Sequence, residues 1–282
     1  MPLVMNTPYG AQLPPAIIWD LTGFALDSAF DVIAGGAQFP TGFNFSYDGT
    51  KAYVIGLIDD TCRSYSCSTP FDFSTGSATY DGDGSSFSVS GQTGNPKGMA
   101  FSRDGLNFYV ISDLGQDAWK YDLGIAWDVS SAVYNGDTVD VSTVGPGSDL
   151  LAPQGLTLND DGTRMYVTNG GNGQDGTYQF ELVTPYELSS AVYEKFLVSP
   201  GGDLESVKFN DAGTQMLVAR EFTKQVHLYD LSTAWDIATA ILSPTTVDTG
   251  TNTSLSCLAM SRDGNTLYAL NYGNSTVDKW VK

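Results

Sequence analysis

Few residues in this chain are of types that could do chemistry. Its single histidine, His227, lies inside an alternating run, HLYDL, which excludes histidine-built metal clusters and triads with a spare histidine. No G-x-S-x-G, P-loop or strand-to-helix G-x-G-x-x-G occurs. Glu205 is a candidate acid or base with Lys97 or Lys208 as its partner, and a solvated contact is the plainer reading. DGDG at 81–84 and GNGQDG at 171–176 offer calcium-friendly oxygens, yet neither completes an EF-hand loop and a polar turn explains each. Cys62, Cys67 and Cys257 form no C-x-x-C; the first two, five apart, would face opposite sides of one strand as structural thiols. No metal or other cofactor is expected, with calcium alone left open.

Something must position even these few groups, and composition narrows what it is. The chain has 282 residues, 41% hydrophobic, only 16% charged and with 31 glycines, as many short strands and tight turns require. Its 13 basic and 32 acidic residues leave a net charge of −19, which repels phosphate backbones and anionic lipid. Nucleic acid is therefore not an expected partner. No apolar run is long enough to span a bilayer, so membrane insertion is not expected either. The start, MPLVMNTPYGAQLPPAII, shows no basic segment leading into an apolar one, so no signal peptide is read and the chain is expected to fold where it is made.

The dominant signal is internal repetition. GFNFSYDGTKAYVIG from Gly42 recurs as GMAFSRDGLNFYVIS from Gly98, GLTLNDDGTRMYVTN from Gly155, SVKFNDAGTQMLVAR from Ser206 and CLAMSRDGNTLYALN from Cys257. Each phrase is an apolar run, an Asp-Gly or Ala-Gly turn and a second apolar run, which is a β-hairpin signature. The turn glycines Gly49, Gly105, Gly162, Gly213 and Gly264 are 56, 57, 51 and 51 residues apart, so the unit is close to fifty residues. A second phrase follows most hairpins: KYDLGIAWDVSSA at 120–132, QFELVTPYELSSA at 179–191 and HLYDLSTAWDIATA at 227–240, with a looser YSCSTPFDFSTGSA at 65–78. One unit is then four antiparallel strands, and the chain is expected to be an all-β propeller of five four-stranded blades, with six as the alternative. The fifth unit stops at Lys282 without an outer strand, whereas IIWDLTGFALDSAF at 17–30 begins mid-unit. The N-terminal strand is expected to complete the C-terminal blade and close the ring over residues 16–282. Trp19 and Trp280 both align with the third-strand aromatic, so one of them must serve another purpose.

The repeated aromatics Phe71, Trp127, Tyr186 and Trp235 read either as sugar-stacking platforms or as packing between blades, and their recurrence just after a turn favours packing. Asp20, Asp122 and Asp230 read as caps of the turns they precede. Recognition is expected where the units differ. Strand direction gathers the starts of the inner strands on one face, with the mouth positions Thr41, Lys97, Gln154, Glu205 and Ser256. Variable loops such as IDDTCR, SDLGQDA and REFTK belong to the same face. The mouth carries no matched ring of carboxylates or histidines, so no catalytic set is assigned.

The hairpin and Trp-Asp phrases resemble the S-x-D-G-T-x-M-Y-V … Y-D-L-S-T-x-W-D-I-S repeats of β-propeller proteins of marine bacteria and their tailed phages, and more distantly YncE-like and NHL-type propellers. The resemblance covers 17–282, with Ala212 and Cys67 departing from it. It implies a non-enzymatic structural or adhesion module, such as a virion head-decorating protein, fibre or tail adhesin exposed on the particle. The alternatives are a lectin-like carbohydrate-binding propeller, or a lactonase-like or glycosidase-like enzyme. Residues 1–15, with Leu3, Val4, Met5 and Tyr9, are expected to form an extended arm that docks on another virion protein; a host-surface glycan or protein is the other expected partner.

Overall fold

A computed structural model of the chain describes residues 17–144, 150–171, 174–199, 202–250 and 254–282. The arm residues Leu3, Val4, Met5 and Tyr9 and part of the GNGQDG loop lie outside them. Five antiparallel sheets stand around one axis, so the chain forms a five-bladed propeller and not the six-bladed alternative. The innermost strands are Pro40–Phe45, Pro96–Phe101, Pro153–Leu158, Leu204–Phe209 and Leu255–Met260. Each pairs with a second strand across the predicted hairpin, and the five turn glycines adopt φ between 65° and 73°, the left-handed region that glycine enters most readily.

The turn's other residues explain the S-x-D-G wording. In the first unit Ser46 Oγ accepts the Lys51 N–H at 2.9 Å and Asp48 Oδ1 accepts the Thr50 N–H at 3.0 Å. In the fourth unit, where Ala212 replaces the aspartate, Asn210 Oδ1 accepts both the Thr214 and Gln215 N–H groups. The turn survives because a neighbour supplies the missing acceptor.

Blades pack face to face, so the hydrophobic core is divided into five wedges, one at each blade interface. Third strands such as Thr61–Cys67 are therefore buried on both faces. Cys62 belongs to the wedge between blades one and two and Cys67 to the wedge between blades five and one, on opposite sides of the same strand. All three cysteines are free and buried, and burial pushes the Cys67 thiol up to about 12, far from a reactive thiolate.

Closure follows the sequence reading. Ala25–Asp31 pairs antiparallel with Thr276–Val281 as the outer strand of the fifth blade. Trp280 occupies the third strand, and Trp19 takes the fifth position of a repeated arrangement. Phe71, Trp127, Tyr186 and Trp235 sit at φ between 56° and 67°, each lying over the turn glycine of its own blade and donating its N–H to that glycine's carbonyl. A Cβ on Gly105 would fall 2.4 Å from the Trp127 ring, and one on Gly213 2.3 Å from Trp235. Trp19 covers Gly264, where a Cβ would meet its ring at 2.9 Å, but without a positive φ and with its N–H given to Gln215 Oε1.

Each covering aromatic is also held by the preceding blade. Tyr53 Oη donates to the Trp127 carbonyl at 2.5 Å, Tyr109 to Tyr186 at 3.1 Å, Tyr166 to Trp235 at 2.7 Å, and Tyr268 to Phe71. Blade four has Leu217 at the tyrosine position, and there Gln215 reaches Trp19 instead. The repeated aromatic is thus the point where one blade is latched to the next. Asp20 caps its turn as expected, accepting the Thr22 N–H at 2.9 Å. Asp122 and Asp230 do not: they accept side-chain amides of Asn135 and Gln215, and the caps are Asp128 and Asp236, one residue after the aromatic.

Candidate functional site

The sides of the channel differ because its five strands differ in side-chain size along their length. At the third position of the inner strand stand Gly42, Gly98, Gly155, Ser206 and Cys257. A Cβ on Gly98 would meet the Gln154 carbonyl at 2.7 Å, and one on Gly155 would meet the Glu205 carbonyl at 2.6 Å, so the backbones converge to a waist. Thr41, Gln154, Glu205 and Ser256 come together there around a constriction of only about 10 Å³. Two of them join blades: Thr41 Oγ1 donates to the Pro96 carbonyl at 2.9 Å and Ser256 Oγ to the Pro40 carbonyl at 3.1 Å. Lys97 pairs with Asp113 at 3.3 Å. Burial, then the nearby Glu221 carboxylate, raises the Glu205 pKa well above the ordinary glutamate value.

Beyond the waist the strands diverge toward the hairpin turns and enclose a cup of about 480 Å³, a volume within the range of small-molecule sites. Its wall is the sixth inner-strand position, Phe45, Phe101, Leu158, Phe209 and Met260, extended by Phe71, Trp235 and Trp19. These rings are held on several sides; Phe209 lies 5.1 Å from Trp235 and Phe45 5.4 Å from Phe71, centroid to centroid. The fifth position supplies the floor: Asn44, Ala100, Thr157, Lys208 and Ala259. Lys208 is surrounded by protein yet open to the cup, and burial lowers its pKa.

The rim is built from the single variable residue between Ser/Asn and Asp in the hairpin turns: Tyr47, Arg103, Asp160, Asp211 and Arg262. Arg103 pairs with Asp160 and Arg262 with Asp211. Both guanidinium groups lie over Tyr47, at 4.4 and 4.0 Å from its centroid, and both donate to its hydroxyl. Four sides of this pentagon are bonded. The fifth, between Asp160 and Asp211, is open; burial and the neighbouring Asp211 charge raise the Asp160 pKa against the pull of Arg103.

The cup lies on the face opposite the mouth positions, where loop variation between units does not point. Its rim is nonetheless legible in the sequence, because the variable turn position reads Tyr, Arg, Asp, Asp and Arg around the ring and sets an Arg beside an Asp at two of the five neighbouring pairs. DGDG proves to be a kink that splits the outer strand of blade one into Ala78–Tyr80 and Ser86–Ser88. Asp81 there accepts Lys51 Nζ at 2.8 Å, Ser64 Oγ at 2.8 Å and Ser66 Oγ at 2.5 Å. Among the described residues no group of three or more His, Cys, Asp or Glu side chains is placed to hold a metal ion.

No protein-family profile and no curated protein matches this chain. Similar solved structures include a protein provisionally described as a 6-phosphogluconolactonase from Bacteroides fragilis, at 17% identity over 74% of this chain and 55% of that one, TM-score 0.46. A protein of unknown function from Desulfotomaculum acetoxidans is 14% identical over 82% of this chain and 65% of its own length, TM-score 0.49. Hydrazine synthase from Kuenenia stuttgartiensis is 14% identical over 86% and 71%, TM-score 0.48. The chain therefore spans less than two thirds of the first two. Likenesses at this level carry no argument about activity.

Proposed function

We propose that the protein is a non-enzymatic recognition module whose propeller presents one small-ligand cup, and that the ligand is a carbohydrate end group. The observation that carries this reading is the aromatic-walled cavity of about 480 Å³ at the hairpin end of the channel. Rigid rings suit the C–H faces of a sugar, while Asn44, Thr157 and the rim carboxylates supply donors and acceptors for its hydroxyls. The wall is preorganised by the inter-blade latches, which limits the ordering cost of binding.

A glycan array probed with the wild type and with Thr157→Phe tests it. Thr157 lines the cup, so a phenyl ring there fills the space without deleting a wall residue. Glycan binding that the substitution abolishes supports the reading; no binding to any glycan, or binding that persists in Thr157→Phe, defeats it. The setting implied by the resemblance, a virion surface with residues 1–15 docked on a neighbouring protein, is compatible with this role. Residues 25–31 complete the fifth blade and Trp19 its aromatic cover, so neither of those roles falls to residues 1–15.

A further inference from the structure

We infer that Lys208 is the anchor for a carboxylate on the cup's ligand, so that the preferred sugar is an acidic one of the uronic-acid class. This rests on the cup being a ligand site and adds the chemistry of what enters it. Lys208 lies on Leu204–Phe209 with its side chain toward the channel, while its neighbour Val207 packs back into the wedge between blades three and four. The equivalent residues on the other four inner strands are Asn44, Ala100, Thr157 and Ala259, none of them acidic. Among the described residues no hydrogen bond or ion pair is made by the Lys208 amine.

The carboxylates of the cup are otherwise engaged. Asp160 is paired with Arg103, Asp211 with Arg262, and Asp263 accepts Ser261 Oγ and the Asn265 N–H within its own turn. The cup thus holds at its floor one lysine amine with no charged partner, in a protein of net charge −19. An enclosed cation without a partner is unfavourable, and an incoming anion relieves that cost. Ala100 and Ala259, at the same inner-strand position as Lys208, leave room for the planar group, and the aromatic wall receives the ring that carries the carboxylate.

Calorimetric titration with galacturonate against galactose, and with benzoate against benzyl alcohol, tests the anchor and the sugar reading separately. The wild type should prefer each acid over its neutral counterpart by about tenfold or more, the scale of one charge-assisted hydrogen bond. Lys208→Met should erase both preferences. Thr157→Glu, which places a competing carboxylate beside an intact lysine, should erase them too and guards against a folding defect in the first variant. A benzoate preference without binding of either sugar would uphold the anchor and overturn the carbohydrate reading. Equal affinity for benzoate and benzyl alcohol, no binding of either, or a preference that survives Lys208→Met would overturn the anchor.

Discussion

Gln215 and Trp19, 196 positions apart, hold each other by two hydrogen bonds: Gln215 Nε2 donates to the Trp19 carbonyl at 3.1 Å and Gln215 Oε1 accepts the Trp19 N–H. The pair joins blade four to the N-terminal segment, and so does at the ring's closure what Tyr53, Tyr109, Tyr166 and Tyr268 do at the other four interfaces. Gln215→Leu should leave two buried backbone groups of Trp19 without partners, a loss of about 2–4 kcal/mol. Adding Leu217→Tyr, the residue found in the other blades, should recover part of it. Chemical denaturation of the single and double variants checks this; an unchanged midpoint in Gln215→Leu would refute the latch.

Glycine substitutions separate the cover from the backbone. Gly105 and Gly76 both have positive φ, at 72° and 95°, but a Cβ on Gly76 meets nothing within 4 Å whereas one on Gly105 runs into Trp127. Gly76→Ala should cost about 1–2 kcal/mol, the left-handed penalty alone. Gly105→Ala should cost clearly more and shift the tryptophan fluorescence, because the Trp127 ring must move. Equal losses for the two would mean that the ring cover adds nothing.

These residues also show what could be read from the chain before its structure. The repeat spacing and the glycine turns gave the five blades, because a hairpin is a local object whose turn chemistry lies in adjacent residues. The strand before Asp31 could be placed as the closing strand because it copies a phrase whose position in the unit was known. The role of Trp19 was not legible, since its partners Gln215 and Gly264 lie in other units and no spacing links them. The cup was hidden for a related reason. Its width depends on how five strands diverge beyond Gly42, Gly98 and Gly155, a property of the assembled ring and not of any one unit. The mouth residues Thr41, Gln154, Glu205 and Ser256 do converge, around a constriction of about 10 Å³.

Glu205 should make stability depend on pH in a definite direction. Its folded pKa lies above its unfolded value, so the native state holds that proton more tightly. The stability it contributes is complete below the ordinary glutamate pKa and is lost as pH rises through the folded one. Glu205→Gln, which resembles the protonated form, should therefore melt near the wild type at pH 4 and above it at pH 8. A lower melting temperature at pH 8 would show that the ionised carboxylate is stabilised in the waist.

Truncation tests how the ring closes. Deleting residues 1–15 should leave the melting temperature within a degree or two of the full chain, because the latch and the outer strand both lie beyond it. Deleting residues 1–31 removes Trp19 and the outer strand of the fifth blade and leaves Thr276–Val281 as an open edge. That chain should melt far lower or self-associate, as read by calorimetry and light scattering. A monomeric, fully stable product would contradict the closure described here.

The central claim, that the cup at the hairpin end of the channel is the ligand site, can be tested at one methyl group. Met260 lines the cup, whereas Met165 and Met216 are buried between blades. With the methionine methyls labelled with carbon-13, titration with galacturonate should shift the Met260 resonance saturably and leave Met165 and Met216 in place. A bound sugar that leaves Met260 unmoved would place the site elsewhere and contradict the account.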